Sequence, residues 1–390
     1  MKKIDALTGA RFFAIMLIVN THFEFLMKLN GIGNVYGTYF KNATLGTNFF
    51  FMVSGFGMML SYLNSGTEST KRLGGFRFAL KHIKKIYPYY CFSMLLCIPH
   101  FFIESTLIYG KSLGRTTLFA ALRLPLDAVL GQSLTGMTSL SHSFNGVCWF
   151  LSTLFCIYLV SPFLMSFLKK HISSIKGGVA AITIVVFVQV GLLVLFDYIE
   201  GKTFFDDLSY GSPYRRVFYV ICGMILAMLY YYKNNKMKET RQDRSGKTMK
   251  RIAEILIIAF LVVYYFLHNT LLDWNIILVN VVDFLSCMVF IMLLVEEGSI
   301  MSHLFSKRTI VRLGDMSMYI FLFHYPLSLY LKLLMQLTGY YSVLFCLLSC
   351  VLIVVLSLII AYLLKTKVEK RISARIDVLT SGRNRSQKIK

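Results

Sequence analysis

The chain has 390 residues, of which 56% are hydrophobic and 15% charged, with a formal net charge of +22 and a mean hydropathy of +0.63. Soluble domains carry about a quarter charged residues, so this balance excludes a water-soluble protein and predicts an all-α integral membrane protein. The basic residues are scattered over loops and a tail, which argues against a nucleic-acid partner and for contact with anionic membrane lipids.

Apolar runs near the roughly 20 residues that cross a bilayer are read at 10–27, 47–63, 88–105, 147–168, 178–198, 217–232, 252–268, 274–295, 315–336 and 342–364. They make about ten transmembrane helices in one membrane domain, 1–364, followed by a basic cytoplasmic tail, 365–390. With the N-terminus inside, 31 of the 41 Lys and Arg fall on inner segments and eight on outer ones, among them Arg215 and Arg216. Lys and Arg accumulate in cytoplasmic loops, so both termini are expected to be cytoplasmic. The eight cysteines all lie within spans and form no external disulfide framework. The start MKKIDALTGARFFAIMLIV reads as a first span, because no small-residue cleavage site follows and Arg11 interrupts the apolar core.

That first span carries Arg11 and His22, and ionisable groups in a membrane segment are costly and usually functional. Eleven residues at about 100° each make three turns plus about 20°, which puts both side chains on one face about 16 Å apart. One end of the stripe can hold an anion and the other can move a proton. The plain structural alternatives are a snorkelling Arg11 and a hydrogen-bonded packing His22. Glu24, about 200° around the helix from His22, is not expected to orient the imidazole.

Between the second and third spans, KRLGGFRFALKHIKKIYPYY places Phe76, Leu80, Ile83 and Tyr87 at helical spacing, with Arg77, Lys81, His82, Lys84 and Lys85 on the remaining arc. This predicts an interfacial amphipathic helix closed by Pro88. It serves as a lipid anchor, as a phosphate-binding cluster, or as both. The outer loop 106–146 contains TTLFAALRLPLDAVLGQ, broken by Arg123, Pro125 and Asp127; it is expected to lie on the surface or dip in as a re-entrant piece. The basic stretch 233–251 reads as a solvated linker. Asn280 and Asp283 form a polar spot on the eighth span, suited to packing or to an acceptor or proton path. His324, beside Pro326, is either structural or part of a site. His142, His171, His268 and His303 lack metal-ligand spacing, so no metal is expected.

Five segments together carry a family resemblance. LTGARFFAIMLIVNTH, an Arg and a His separated by ten residues, resembles the opening of the acyltransferase 3 family of membrane-bound acyltransferases. TNFFFMVSGFGMML, with Asn48, Ser54, Gly55 and Phe56, resembles the family's second span. KHIKKIYPYY is similar to its basic motif before Ile-Tyr-Pro. CWFLSTLFCIYLVSPF, with Trp149, Phe150, Tyr158 and Pro162, resembles its Trp-Phe-Leu span, and YIFLFHYPLSL, with His324 and Pro326, its late His near a Pro. Two departures stand out. The family's paired arginines fall here on His82 and Lys85, and Leu151-Ser152-Thr153 lacks the Glu that many relatives carry.

The resemblance implies transfer of an acyl group, most often acetyl, from acyl-CoA to a hydroxyl of a cell-surface polysaccharide or a lipid-linked glycan precursor, in a bacterial cytoplasmic membrane. His22 is the expected base, since imidazole titrates in the range such a proton transfer needs, and Arg11 works with it. Lys81, His82, Lys84 and Lys85 are expected at the donor's phosphates. Asn48, Ser54, Trp149, Asp283 and His324 are candidate site-lining residues. Acyl-CoA enters as a donor substrate, with no permanently bound cofactor. A transporter or flippase for an anionic solute or glycolipid is the alternative from another class, and a non-catalytic partner in polysaccharide export is a third.

Overall fold

The computed structural model describes residues 4–29, 31–64, 74–239, 247–340, 342–369 and 371, and among them every regular element is helical. In chain order these are α1 (Asp5–Thr21), α2 (Glu24–Leu29), α3 (Gly33–Phe40), α4 (Ala43–Asn64), α5 (Gly75–Ile83), α6 (Tyr87–Ile103), α7 (Leu113–Ala128) and α8 (Thr138–Ser141). There follow α9 (Trp149–His171), α10 (Ile175–Glu200), α11 (Pro213–Glu239), α12 (Lys247–Trp274), α13 (Ile276–Val295), α14 (Ile300–Phe305), α15 (Arg308–Asp315), α16 (Ser317–Thr338) and α17 (Val343–Leu363).

Ten stretches among the described residues are long and apolar enough to cross a membrane, and each contains or overlaps one of the ten predicted runs. Two of them are interrupted. The first, Asp5–Lys28, breaks at His22 and Phe23, between α1 and α2; the second, Gly33–Asn64, breaks at Lys41 and Asn42. Large side chains such as Ile184, Phe187, Leu256 and Val263 stand exposed on α10 and α12, which in a bilayer is a lipid-facing surface.

Where water is absent, helices associate by close packing of small residues. One such contact joins α4 to α11: a Cβ on Gly55 would lie 2.0 Å from the Val220 carbonyl oxygen, and one on Gly223 would lie 1.9 Å from that of Met52. The two backbones touch through reciprocal glycines, and this contact fixes the span that carries Asn48 and Ser54.

Several expectations are corrected. Arg215 and Arg216 are not outer-loop charges. They lie in the first turn of α11, 4% and 0% exposed, with Arg216 set among the rings of Phe51, Trp149, Tyr210 and Tyr219. The stretch 233–251 is helical to Glu239 and again from Lys247, so apart from 240–246, which lie outside the described residues, it is an extension of two spans rather than a linker. The last helix passes the expected boundary at 364 through a π turn, Leu364–Val368. Of the expected tail, 370 and 372–390 lie outside the described residues.

The broken stretch of the outer loop folds as α7, capped by Ser112, whose hydroxyl accepts from the Arg115 N–H at 3.4 Å. Thr116, Ala120 and Asp127 are buried while Leu113, Leu118 and Leu122 are exposed. Burial pushes the Asp127 carboxyl up to about 7 against the pull of Arg123. A carboxyl whose folded value lies above its ordinary 3.8 stabilises the fold below that ordinary value, and the contribution is lost as pH rises through about 7. Asp127→Asn is therefore expected to flatten the fall of Tm between pH 5 and 8, a difference of up to ~3 kcal/mol in stability. Thermal unfolding of both proteins across that range checks it; parallel curves would contradict it.

Candidate active site

Near the start of α1, Arg11 lies within electrostatic reach of the Tyr158 hydroxyl on α9 and the Asp315 carboxylate at the end of α15. Tyr158 hydrogen-bonds to Ser54. Because the Ser54 hydroxyl donates to the Phe50 carbonyl at 2.8 Å, Tyr158 is the donor of the pair. The His82 ring lies 4.9 Å from that of Tyr158 and 4.2 Å from that of Phe78. Its Nδ1–H donates to the Phe78 carbonyl at 2.9 Å, which leaves Nε2 as the acceptor. His82 is partly exposed; desolvation against Phe78 and Tyr158 lowers its pKa, the Phe78 bond opposes this, and Lys81 adds to the lowering. Arg11, Ser54, Tyr158, His82 and Asp315 thus form one cluster.

α5 brings His82 there by burying Phe78, Ala79 and Ile83, while Phe76 and Leu80 are exposed. The predicted arc of Phe76, Leu80, Ile83 and Tyr87 is therefore split between protein and surroundings, and the helix stops at Ile83, so Tyr87 opens α6 instead. Lys81 and Lys85 are exposed at the same end of the bundle, and Lys84 is half-buried. His82 joins the Arg11 cluster through Tyr158; Lys81 and Lys85 form a basic rim beside it.

The other end of α1 presents a cluster of histidines. His22 caps the helix with φ −73° and ψ −5°. Its ring lies 5.3 Å from that of His324 and 5.1 Å from that of Tyr325, both on α16. The Nδ1–H of His324 donates to the Ile320 carbonyl at 3.0 Å, while its Nε2 is buried with no hydrogen-bond partner among the described residues. A buried, unpartnered imidazole nitrogen is costly, and here it sits beside His22.

His142 lies within electrostatic reach of His22. Its Nδ1 is 2.8 Å from the Ser141 hydroxyl, which donates at 2.5 Å to Asp207, whose other oxygen accepts the Gly211 N–H at 2.9 Å. Burial lowers the His142 pKa, and Asp207 partly opposes this. Burial raises Asp207, against His142, Ser141, the Gly211 N–H and Arg216. The arrangement is a carboxylate–hydroxyl–imidazole relay ending near His22. Trp149 packs 6.1 Å from His142 and 5.0 Å from Tyr210, ring to ring.

Leu151-Ser152-Thr153, where relatives place a Glu, instead braces the loops that present this relay. The Ser152 hydroxyl accepts from the Ser133 N–H at 3.1 Å and donates to the Leu130 carbonyl at 2.8 Å, and Thr153 donates to the Gly211 carbonyl at 2.5 Å. The carboxylate near the histidines is Asp207, far along the chain and marked by no local motif. Asp315 and Asp207 are candidates that the sequence does not signal, and Tyr158 is marked there only as part of the Trp-Phe-Leu span.

Two expected site-lining residues are held in polar networks, the first of which borders the relay through Arg216 and Asp207. Asn48 accepts from Arg216 at 2.5 Å, holding a wholly buried guanidinium that also donates to the Tyr210 carbonyl at 2.6 Å. Asp283 accepts from Tyr264 at 2.7 Å and pairs with His268 at 3.2 Å, while Asn280 accepts from Arg215 at 2.5 Å. α13 packs on α4, α11 and α12 and also on α1, and its network reaches the space beside Thr21 through His268, whereas the His22 ring faces α16.

The chain matches the family described as Acyltransferase domain over residues 4–362. It belongs to the acyltransferase 3 family. No curated protein and no solved structure matches it. The match runs from the residue before α1 to the penultimate residue of α17, so both clusters of this acyltransferase 3 protein lie inside the family's own domain. The protein is accordingly a multi-pass membrane member of an acyltransferase family.

Proposed function

We propose that this acyltransferase 3 protein is an O-acyltransferase of a bacterial cytoplasmic membrane that moves an acyl group, acetyl in the first instance, from acyl-CoA to a hydroxyl of a surface polysaccharide or its lipid-linked precursor. The observation that carries the reading is the placement of His22 against His324 and Tyr325 in a protein-lined interior, with Arg11 on the same helix nearer the basic rim. The donor's phosphates lie on the cytoplasmic side at Lys81, Lys84 and Lys85, and the thioester arm passes Arg11, whose guanidinium suits phosphate or carbonyl oxygens. The acceptor oxygen attacks the thioester carbonyl carbon as His22 takes the hydroxyl proton. The C–S bond then breaks, the ester forms, and the departing CoA sulfur receives that proton.

Arg11→Ala is expected to weaken acetyl-CoA binding by about 10-fold or more, the range of a charge-assisted hydrogen bond. Removing the charges of Lys81, Lys84 and Lys85 together is expected to weaken it further and to steepen the loss with salt. Calorimetric titration of the purified protein measures both. Unchanged affinity in the triple variant would leave α5 as a lipid anchor only.

A further inference from the structure

A polar cavity of about 540 Å³ lies among α1, α2, α3, α4 and α12, with Thr21, Glu24, Lys41, Tyr210, His268 and Asp273 in its wall. An apolar cleft of about 480 Å³ runs along the same three long helices, lined by Ala14, Leu17, Leu45, Val262, Tyr265 and, from α13, Phe290. The two are neighbours along these helices. Leu17 of the cleft is one turn from Thr21 of the cavity, Leu45 adjoins Thr44, which also lines the cavity, and Tyr265 is three residues from His268. Along the same stretch, Asn42 donates to the Tyr265 carbonyl at 3.1 Å and Asn269 donates to the Gly37 carbonyl at 3.0 Å and to Asn42 at 3.2 Å. Phe13, Val262 and Phe266, each about half exposed, rim the cleft's open side within the spans.

We propose that this trough binds a sugar-bearing membrane lipid, with the sugar in the polar cavity and the hydrocarbon tail in the cleft, and that this lipid is the acyl acceptor. Both volumes fall in the roughly 300–1,000 Å³ range of small-ligand sites. Charge in the cavity is already compensated: Glu24 pairs with Lys28 at 2.9 Å and with Lys41 at 3.1 Å, and His268 pairs with Asp283. Beyond these pairs the wall offers hydrogen-bonding groups beside the Tyr210 ring and the Asp273 carboxylate, which suit the hydroxyls of a sugar. The cleft is almost wholly apolar and opens sideways at the depth of the spans, so an amphiphile enters it from the bilayer without leaving hydrocarbon. Thr21 of the wall is the residue before His22, whose ring faces α16, so a head group bound here reaches the proposed base only by extending past the end of α1. The acceptor role rests on the acyl-transfer reading; the binding does not.

The probe is dodecyl glucoside with a diazirine in mid-tail, photolysed with the purified full-length protein in phosphatidylcholine nanodiscs and mapped by mass spectrometry. Adducts are expected to concentrate at 261–266 and 286–290. Excess dodecyl glucoside should compete them away, while equal methyl glucoside or dodecanol should not. Val262→Trp, at the exposed rim, is expected to cut cleft labelling at least tenfold with acetyl-CoA affinity unchanged, and Asp273→Ala to weaken competition by the glycoside. Adducts spread evenly over lipid-facing positions such as Ile184 and Phe187, or competition by dodecanol as strong as by the glycoside, would overturn the proposal and leave an annular lipid contact only. Acyl transfer to free glycans without cleft labelling would refute the lipid acceptor alone; cleft labelling without any acyl transfer would refute the acyltransferase reading and, with it, the acceptor role.

Discussion

His22→Ala is expected to lower kcat for acyl transfer by about 10²- to 10⁴-fold, the usual contribution of a positioned general base, with acetyl-CoA affinity and Tm little changed. The ring is half-buried at the end of α1 and contacts His324 and Tyr325 rather than filling the tightest part of the core. Its removal therefore costs chemistry more than packing. Release of the CoA thiol, followed in proteoliposomes with a glycan acceptor, gives kcat directly. His324, with its unpartnered Nε2, is the neighbour that could stand in for His22 as base. A His22→Ala protein within tenfold of the wild type, combined with a His324→Ala protein that is inactive, would transfer the catalytic role to α16.

Gly223→Val is expected to abolish recovery of folded protein. The added Cβ would lie 1.9 Å from the Met52 carbonyl oxygen, far inside van der Waals contact. The clash is with backbone, so no side chain can swing aside. Separating α4 from α11 would also pull Asn48 off Arg216 and leave that buried guanidinium with fewer partners. Overpacking of this kind commonly costs about 1–3 kcal/mol, and here the backbone clash and the loosened charge add to it, which is a large share of the ~5–15 kcal/mol that holds a domain together. Gly57→Val is the control: it lies on the same α4, is exposed, and its added Cβ meets nothing within 4 Å. Size-exclusion profiles after detergent extraction distinguish the two. A monodisperse Gly223→Val protein with wild-type Tm would contradict the α4–α11 contact.

The spans were legible because a bilayer demands long apolar helices, a constraint that hydropathy reads directly. Arg11 and His22 were legible because charge in such a helix is conspicuous. The partners that make them a site were not. Tyr158, Asp315 and Asp207 reach the two clusters through tertiary packing of segments over a hundred residues away, and Asp207 sits in a loop with no spacing signal. Arg215 and Arg216 were misread for a related reason. Adjacent charges at a span's edge look like a loop, and only the ring of aromatic side chains around Arg216 and its bond to Asn48 reveal a buried position. α5 was legible as a helix but not in its orientation, since an apolar arc does not say whether protein or lipid covers it.

The measurement that bears most directly on the account is incubation of the purified protein in liposomes with acetyl-labelled acetyl-CoA and a glycan or glycolipid acceptor. The expected result is a base-labile acetyl ester on the sugar, formed with stoichiometric release of CoA and at a rate about a hundredfold or more lower with His22→Ala. Movement of the acceptor across the liposome membrane without donor, and with no label on any hydroxyl, would contradict it and identify a transporter.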